Sequence, residues 1–445
     1  MYGHRFVILK FTPTDDNAYL YRMKVHFIGC EGVSMKRLRE LTEREGHRTS
    51  GSDCATTGHS AAFVAGADMV VYSAAGKPDN PELIEAKRLG LPIVERAEYL
   101  AAIASGYWRT IAVSGTHGKT TATGMLAVAL ADRYPTIHIG GTPKEAARRE
   151  KRDYFVTEAC EYRRSFLALR PDVGVILNAE LDHTDCYKDK AEVLAAFSAF
   201  SENSRFTLYD GDDPELEAAV KGSRASFGFG ENCCFRAVNY SEDENGYPSF
   251  FVSASGLILG KIELKVRGRH NALDALAAAA VALSEGEPLS AIASRLKNFT
   301  GVKRRMERVG SAMNAEVYTD YAHHPTEIVA ALAAAPPHAG RLFVVFEPHT
   351  YSRTRDLMEG FATAFGAADE LILAPVFASR ETGDDEAIRT LYEKAKAHVP
   401  ARYFPCYDEI NRYLKSTLTR GDLVIYMGAG TINRAAEALV RDCAD

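Results

Sequence analysis

Short apolar runs rich in β-branched and aromatic residues alternate along the chain with longer stretches whose apolar positions return every three or four residues. Runs of the first kind are Lys24-Val-His-Phe-Ile28, Val70-Val-Tyr-Ser73, Thr110-Ile-Ala-Val-Ser114, Tyr154-Phe-Val-Thr157 and Val173-Gly-Val-Ile-Leu177. Glu316-Val-Tyr-Thr319, Leu342-Phe-Val-Val-Phe346, Leu371-Ile-Leu373 and Leu423-Val-Ile-Tyr426 continue the series. They are too short for helices, and their composition predicts strands. Thr121 to Leu130 and the alanine-rich stretch from Ala272 to about Leu283 read as helices, the second stopping near Gly286 and Pro288. Strands and helices in alternation predict an α/β fold built on parallel sheets.

The pattern divides the chain into three blocks: 23–107, 108–300 and 301–445, with Ser105-Gly106 as the first joint. Residues 1–22 precede a second methionine, Met23, which stands directly before the first strand, so they read as an N-terminal extension. From Glu231 to Lys265, adjacent apolar runs around Asn245-Gly246 predict a β-hairpin excursion.

With 445 residues, 46% hydrophobic and 25% charged, the chain can bury several cores. Its net charge of -6 is well mixed apart from the short basic clusters Arg148-Arg149 and Lys303-Arg304-Arg305, which argues against a nucleic-acid partner. The eight cysteines are scattered, with one adjacent pair, Cys233-Cys234, and spell neither a zinc ligand set nor a disulfide framework. No apolar run reaches transmembrane length, and Tyr2 to Arg22 lacks a signal-peptide layout. The expectation is a cytoplasmic protein with no membrane partner, as a monomer or homodimer.

Chemistry concentrates at Gly115-Thr116-His117-Gly118-Lys119-Thr120, between a predicted strand and the predicted helix opening at Thr121. Such a loop reads as a phosphate cradle. Backbone N–H groups close on phosphate oxygens, Lys119 reaches the β/γ-phosphates and the Thr120 hydroxyl can ligate Mg²⁺. The strict P-loop pattern asks for a glycine five positions before Gly118, where Val113 stands. After two other strands come Glu158-Ala-Cys-Glu161 and Asp182-His183-Thr-Asp185, which in a doubly wound sheet fall on the same rim. Glu158 and His183 would there complete the Mg²⁺ site with Thr120, while Asp182 or Asp185 could equally cap a helix.

With these residues in place, the chain resembles the Mur ligases, ATP-dependent amide-forming enzymes of peptidoglycan synthesis. The resemblance extends from Met23 to about Leu439. It rests on Gly115 to Thr121, Glu158 to Phe166, Asp182-His183, His270-Asn271-Ala-Leu and Phe299-Thr-Gly-Val-Lys-Arg-Arg305. Asp320-Tyr-Ala-His-His-Pro325, Glu347-Pro-His-Thr-Tyr-Ser-Arg-Thr-Arg355 and Met427-Gly-Ala-Gly430 complete it. The resemblance implies a Rossmann-like UDP-sugar domain, a P-loop ATPase-like central domain and a Rossmann-like C-terminal domain. It implies ATP and Mg²⁺ as cofactors. His270 and Asn271 would lie against the base, with Arg305 and Asp320 holding ATP at the interdomain cleft. Tyr321, His323, His349 and Arg353 would face the amino acid and the incipient phosphate. Lys119, Glu158, His183, His349 and Arg353 would carry the catalysis. Several Mur ligases bear a carbamylated lysine on the helix after the Asp-His motif; Ala191 to Phe200 has none, as in the alanine-adding members. The implied substrates are therefore UDP-N-acetylmuramate and L-alanine, joined through an acyl phosphate.

The first block resembles the UDP-sugar domain through His26-Phe-Ile-Gly29, Gly32, Met35, Ser50-Gly-Ser52-Asp53 and Tyr72-Ser73. Gly29, Gly32, Ser52, Asp53 and Ser73 are its candidate substrate contacts. By itself, the loop would fit a tight turn or a dinucleotide site with Asp53 on a ribose. Glu31 stands where the family places glycine or lysine, and the segment between Asp53 and Gly58-His59 is short by roughly a dozen residues, one helix-plus-strand unit. The loop between Gly141 and Asp153 is short as well. Two rival readings are a ligase that rejoins a preformed peptide to the same sugar nucleotide, and a regulatory descendant that binds nucleotide without catalysis. Because the phosphate, sugar and amino-acid elements fall in separate blocks, closure of the domains around an acyl phosphate is expected.

Overall fold

The computed structural model describes residues 22–73, 79–140, 153–379, 381–383 and 385–443. Nearly all of the extension before Met23 and of the loop after Gly141 lies outside the described residues.

Three sheets follow one another. The first has strands β1 (Lys24–Ile28), β2 (Arg48–Ser52), β3 (Met69–Tyr72) and β4 (Ile93–Glu95), all parallel, in the order β2-β1-β3-β4. Val25, Phe27, Val70 and Val71 are completely buried, because both faces of a parallel sheet are covered. Between Ser52 and Met69 the described chain holds a tight turn, closed by the Thr56, Thr57 and Gly58 N–H groups on the Asp53 carbonyl, and the 3-10 turn Ala61–Val64. No helix-plus-strand unit intervenes among the described residues there, as the short spacing predicts.

The second sheet holds β5 (Arg109–Ser114), β6 (Thr136–His138), β7 (Tyr154–Glu158), β8 (Val173–Ile176), β9 (Phe206–Asp210), β10 (Arg224–Gly228), β11 (Phe235–Glu242), β12 (Pro248–Ala254) and β13 (Leu257–Glu263). Their order is β13-β12-β11-β10-β9-β8-β5-β7-β6. β5 sits between β7 and β8, both parallel to it, so its carboxyl end opens at a point where the strand order reverses. The expected hairpin is three antiparallel strands, β11 to β13, with Gly246 at φ 77° in the turn after β11. The alanine-rich helix spans Arg269–Ser284, and its buried Ala275, Ala278, Ala279 and Ala282 let it pack closely on the helix Lys119–Ala129.

The third sheet comprises β14 (Glu307–Ala312), β15 (Ala315–Asp320), β16 (Leu342–Phe346), β17 (Glu370–Leu373), β18 (Ala401–Tyr403) and β19 (Leu423–Met427), ordered β14-β15-β19-β16-β17-β18. Only β14 runs antiparallel to its neighbour. Asp320, Met427 and Phe346 stand opposite one another, so the loops after β15, β16 and β19 share one rim. Among the described residues no helix is long and apolar enough to cross a membrane.

A buried carboxylate organises the first unit. Glu82, with its side chain fully covered, meets His26 Nε2 at 2.8 Å, the Ser52 hydroxyl at 2.6 Å, His59 Nδ1 at 3.0 Å and the Ser60 N–H at 3.2 Å. Burial works against its ionised form, but these hydrogen bonds outweigh it and hold the carboxyl below its usual range. Replacing Glu82 by Leu strands His26 and Ser52 without their acceptor. The expected loss is about 2–4 kcal/mol in that unit, read by urea unfolding or limited proteolysis of residues 23–107; an unchanged midpoint would show that the cluster is dispensable.

Candidate active site

The phosphate loop runs from Gly115, at φ 145°, to the start of the helix Lys119–Ala129, where Gly118 takes φ 81°. A Cβ on Gly115 would stand 3.0 Å from Leu177 Cβ, so the loop lies directly against the end of β8. The strand end braces it. His117 N donates to Asn178 Oδ1 at 2.8 Å, Thr116 N to Asn178 O at 3.3 Å, and the Thr116 hydroxyl to Glu180 O at 3.1 Å. Thr116 and His117 thus shape the loop with these donors, while the first-turn N–H groups of the following helix have no intrahelical acceptor and face the rim.

Lys119 Nζ folds back onto the carbonyls of Gly115 and Thr116 and pairs with Glu161 Oε2 at 2.9 Å. Burial would lower the ammonium pKa, but the charge of Glu161 outweighs it and raises it. Glu161 in turn lies 3.5 Å from His183 Nε2, and its backbone carbonyl accepts the Tyr187 hydroxyl at 2.6 Å. Glu161 is therefore the carboxylate that links the lysine to the Asp-His motif. From the sequence, Glu158 of this segment is expected as a Mg²⁺ ligand and Glu161 has no assigned role; in the structure Glu158 lies toward Gly140, with Oε2 3.2 Å from where a Cβ on that glycine would stand. The signal for Glu161 was present in the same Glu-Ala-Cys-Glu segment: a three-residue step past the strand end returns the chain toward the loop.

A divalent cation fits these donors. Glu158 Oε1 and Glu161 Oε1 are buried and accept no hydrogen bond among the described residues, and His183 Nε2 lies against the second of them. Unsatisfied buried carboxylate oxygens, one of them beside an imidazole, are the hard donors that Mg²⁺ takes.

The third unit reaches this rim. Arg353, carried on the short helix Tyr351–Asp356, forms a buried bidentate pair with Asp182, Nε to Oδ1 at 3.0 Å and Nη2 to Oδ2 at 3.1 Å. Its Nη1 lies 3.1 Å from His349 Nδ1. Burial favours protonated Asp182, but the charges of His183 and Arg353 outweigh it and push the carboxyl far below its usual range. His349 is also 5.8 Å from His323 between ring centres, and His323 is 5.4 Å from Tyr321. Tyr321, His323, His349 and Arg353 are thus brought together, with Arg353 already engaged by the central unit.

Below the loop opens a cavity of about 250 Å³, lined by Gly118, Thr121, His270, Asn271, Arg305 and Asp320. Burial, aided by the charge of Arg305, lowers the His270 imidazole to about 4, so it is neutral at physiological pH. The cavity also holds Asp274, which sequence reading passed over as one polar residue in an alanine-rich helix. Its Oδ1 is 3.0 Å from where a Cβ on Gly118 would stand.

His117, Glu180 and His324 offer ligand atoms within 4.8 Å of one another. Burial lowers the His117 imidazole, but the hydrogen bonds of Glu180 and Glu327 outweigh it and raise it to about 9. His117 is thus held between two carboxylates, Glu180 at 3.3 Å and Glu327 at 3.4 Å.

In the first unit, Gly29 and Ser73 face each other, with Ser73 Oγ 3.2 Å from where a Cβ on Gly29 would stand. Gly32 precedes the helix Val33–Arg44. Asp53 accepts from Glu31 N at 3.1 Å and Ala55 N at 2.9 Å, fastening the glycine loop to the end of β2. Ser52 departs from expectation. It is completely buried with its hydroxyl on Glu82, so it braces the sheet instead of facing a substrate. The helix after the Asp-His motif spans Lys190–Asn203, one residue longer at its start than the stretch without lysine, and Lys190 pairs with Glu215 at the surface.

Burial raises the Asp274 carboxyl well above its usual value, with Arg305 opposing. The folded chain therefore retains a proton that the unfolded chain releases above the ordinary carboxylate range. Asp274 supports stability at low pH, and that support is lost as pH rises toward its folded pKa. Asp274→Asn is expected to match the parent near pH 4 and to unfold a few degrees higher at pH 8. Calorimetric scans at the two pH values check this; a difference independent of pH would contradict it.

Three family models match the chain: the Mur ligase family catalytic domain over residues 24–108, the Mur ligase middle domain over 113–282, and the Mur ligase glutamate ligase domain over 304–430. The UDP-N-acetylmuramate–L-alanine ligase of Clostridium acetobutylicum is 39% identical over 444 residues, 93% of this chain and 96% of that protein. The enzyme of the same name from Clostridium novyi is 40% identical, with 93% and 96% covered. Among solved structures, UDP-N-acetylmuramate-alanine ligase from Thermotoga maritima matches with a TM-score of 0.81 at 26% identity, covering 95% of this chain and 99% of that one. A murein peptide ligase from Psychrobacter arcticus shares the fold, with a TM-score of 0.70 at 23% identity and coverage of 95% and 99%. With family models following one another along most of its length and relatives at this identity covering it almost entirely, the chain belongs to the Mur ligase family.

Proposed function

We propose that the chain is an ATP-dependent ligase that joins L-alanine to the carboxylate of UDP-N-acetylmuramate, a cytoplasmic step of peptidoglycan precursor synthesis. The observation that supports this most is a lysine-bearing phosphate loop tied to Glu161 in a chain 39% identical, over 93% of its length, to a protein named for that reaction.

A carboxylate is a poor acyl donor, so the reaction runs in two steps. A muramate carboxylate oxygen attacks the γ-phosphorus of ATP, the bond to the bridging oxygen breaks and ADP leaves with its electron pair. The L-alanine amine then attacks the acyl carbon, the bond to the phosphate oxygen breaks and phosphate departs, while the nitrogen gives up a proton. Charge neutralisation is the main task in both. Lys119 and the N–H groups at the start of its helix face the phosphates, and reaching them takes Lys119 away from the two loop carbonyls it now holds. Mg²⁺, held by Thr120, Glu158, Glu161 and His183, would supply further positive charge when bound. His270, Asn271, Arg305 and Asp320 line the cavity that would receive the rest of the nucleotide. Gly29, Gly32, Asp53 and Ser73 mark the sugar-nucleotide face. Arg353 would oppose the oxyanion of the second step, and His323 or His349 would take the amine proton, His183 being committed to the cation.

Phosphate release with ATP, Mg²⁺ and UDP-N-acetylmuramate is expected to require L-alanine, with the amide mass in the product; glycine, L-serine or a tripeptide in its place should release far less. Release that follows the tripeptide instead would transfer the chain to peptide rejoining. Lys119→Ala is expected to lower ADP formation by about 10³-fold or more, and retained turnover would remove the loop from the mechanism.

A further inference from the structure

Glu327 has no part in the steps above, yet it stands at their crossing point. It lies in the first turn of the helix Pro325–Ala333 of the third unit, with its side chain only 8% exposed. Its Oε1 is 3.4 Å from Nδ1 of the phosphate-loop His117 and 3.4 Å from Nη1 of Arg305 in the nucleotide cavity. Its Oε2 accepts the His323 N–H at 3.0 Å and lies 3.2 Å from His323 Nδ1. One carboxylate therefore touches the phosphate loop, the nucleotide cavity and the amino-acid face, and these three partners come from separate segments of the chain. The neighbouring Thr326 hydroxyl donates to Glu180 Oε2 at 2.7 Å, and Glu180 holds the other ring nitrogen of His117 at 3.3 Å.

Such a carboxylate is costly to bury unless its partners are fixed around it. Conversely, without it the imidazolium of His117 and the guanidinium of Arg305 would face the same buried space with one fewer counter-charge. Burial favours a neutral Glu327, but His323, His117 and Arg305 outweigh it and hold the carboxyl ionised.

We propose that Glu327 is a positioning residue that locks His117, Arg305 and His323 into one arrangement, so that the ATP face and the amino-acid face assemble together as the third unit docks on the phosphate loop. This rests on the ligase reading above for its substrates. Docking of the third unit, on this account, both seats the nucleotide and readies the amine site. ATP and L-alanine consequently share one energetic coupling, whereas the sugar-nucleotide face stands apart from it.

Glu327→Gln keeps the shape and removes the charge. The expected result is a rise of about tenfold in KM for both ATP and L-alanine, with KM for UDP-N-acetylmuramate within about twofold. A variant that merely loosened the fold would lower kcat with the folded fraction and leave all three KM values in place. The route through the loop is tested with His117→Gln: because the two side chains act as a pair, the double variant should bind a non-hydrolysable ATP analogue no more weakly than the worse single variant. Additive losses, or a KM change confined to one substrate, would overturn the proposal. Should Glu327→Gln fail to fold, Glu327→Asp keeps the charge but withdraws it by one methylene, and the same split is expected. Calorimetry with the analogue needs no turnover, so a parent that forms no alanine amide defeats the ligase reading while the pairing of Glu327 with His117 is still decided.

Discussion

Buried charge at the carboxyl edge of the central sheet is the constraint that the rest of the structure answers. Lys119 is largely withdrawn from water and is paired with a still more buried Glu161. Glu161 meets His183, the adjacent Asp182 meets Arg353, and Arg353 meets His349. Lys119 and Arg353 each meet a buried carboxylate, so neither cation is left as a lone charge in a medium that penalises one. A site arranged this way can receive a polyphosphate because its cations are already partly withdrawn from water, and Lys119 has only to exchange the loop carbonyls for phosphate oxygens. The Asp182–Arg353 pair also holds the third unit against the second, with Thr184 on Asp356 and Thr326 on Glu180 adding polar contacts beside it.

Much of this is legible in the sequence. The glycine loop, the Asp-His pair and the strand runs depend on local chemistry, which is written in consecutive residues, and the loop does join a strand at Ser114 to a helix at Lys119. Contacts between distant segments were less legible. Nothing near Glu327 in the sequence points to His117, and the pairing exists because the rim of the third sheet meets the rim of the second. Asp274 was hidden for a related reason: only the close approach of two helices carries it under Gly118. That Glu161 meets the lysine turns on the chain path after β7, which runs on into the turn over Tyr162–Ala168 with Arg163 and Arg164 at positive φ.

In the first unit a connection made of turns leaves the central pair of strands intact. β2 is the outer strand of a four-stranded sheet, so the short connection after Ser52 starts at the border. β1 and β3, whose carboxyl ends carry Gly29 and Ser73, remain paired from Val25–Met69 to Ile28–Tyr72. Ser52 and the Glu82 cluster brace that border from within, which explains why a residue read as a substrate contact is a structural one. The glycine loop is held down as well, since the Gly29 and Cys30 N–H groups both donate to the Ser52 carbonyl.

The central claim is that phosphate passes from ATP to the substrate carboxylate before the amide forms. The most direct measurement uses UDP-N-acetylmuramate labelled with ¹⁸O in its carboxylate, with mass analysis of the phosphate released as L-alanine is joined. Attack by a carboxylate oxygen on the γ-phosphorus leaves that oxygen in the phosphate group, so the account predicts one ¹⁸O in each phosphate released. Phosphate free of label, with both labelled oxygens accounted for in the amide product or in water, would contradict it.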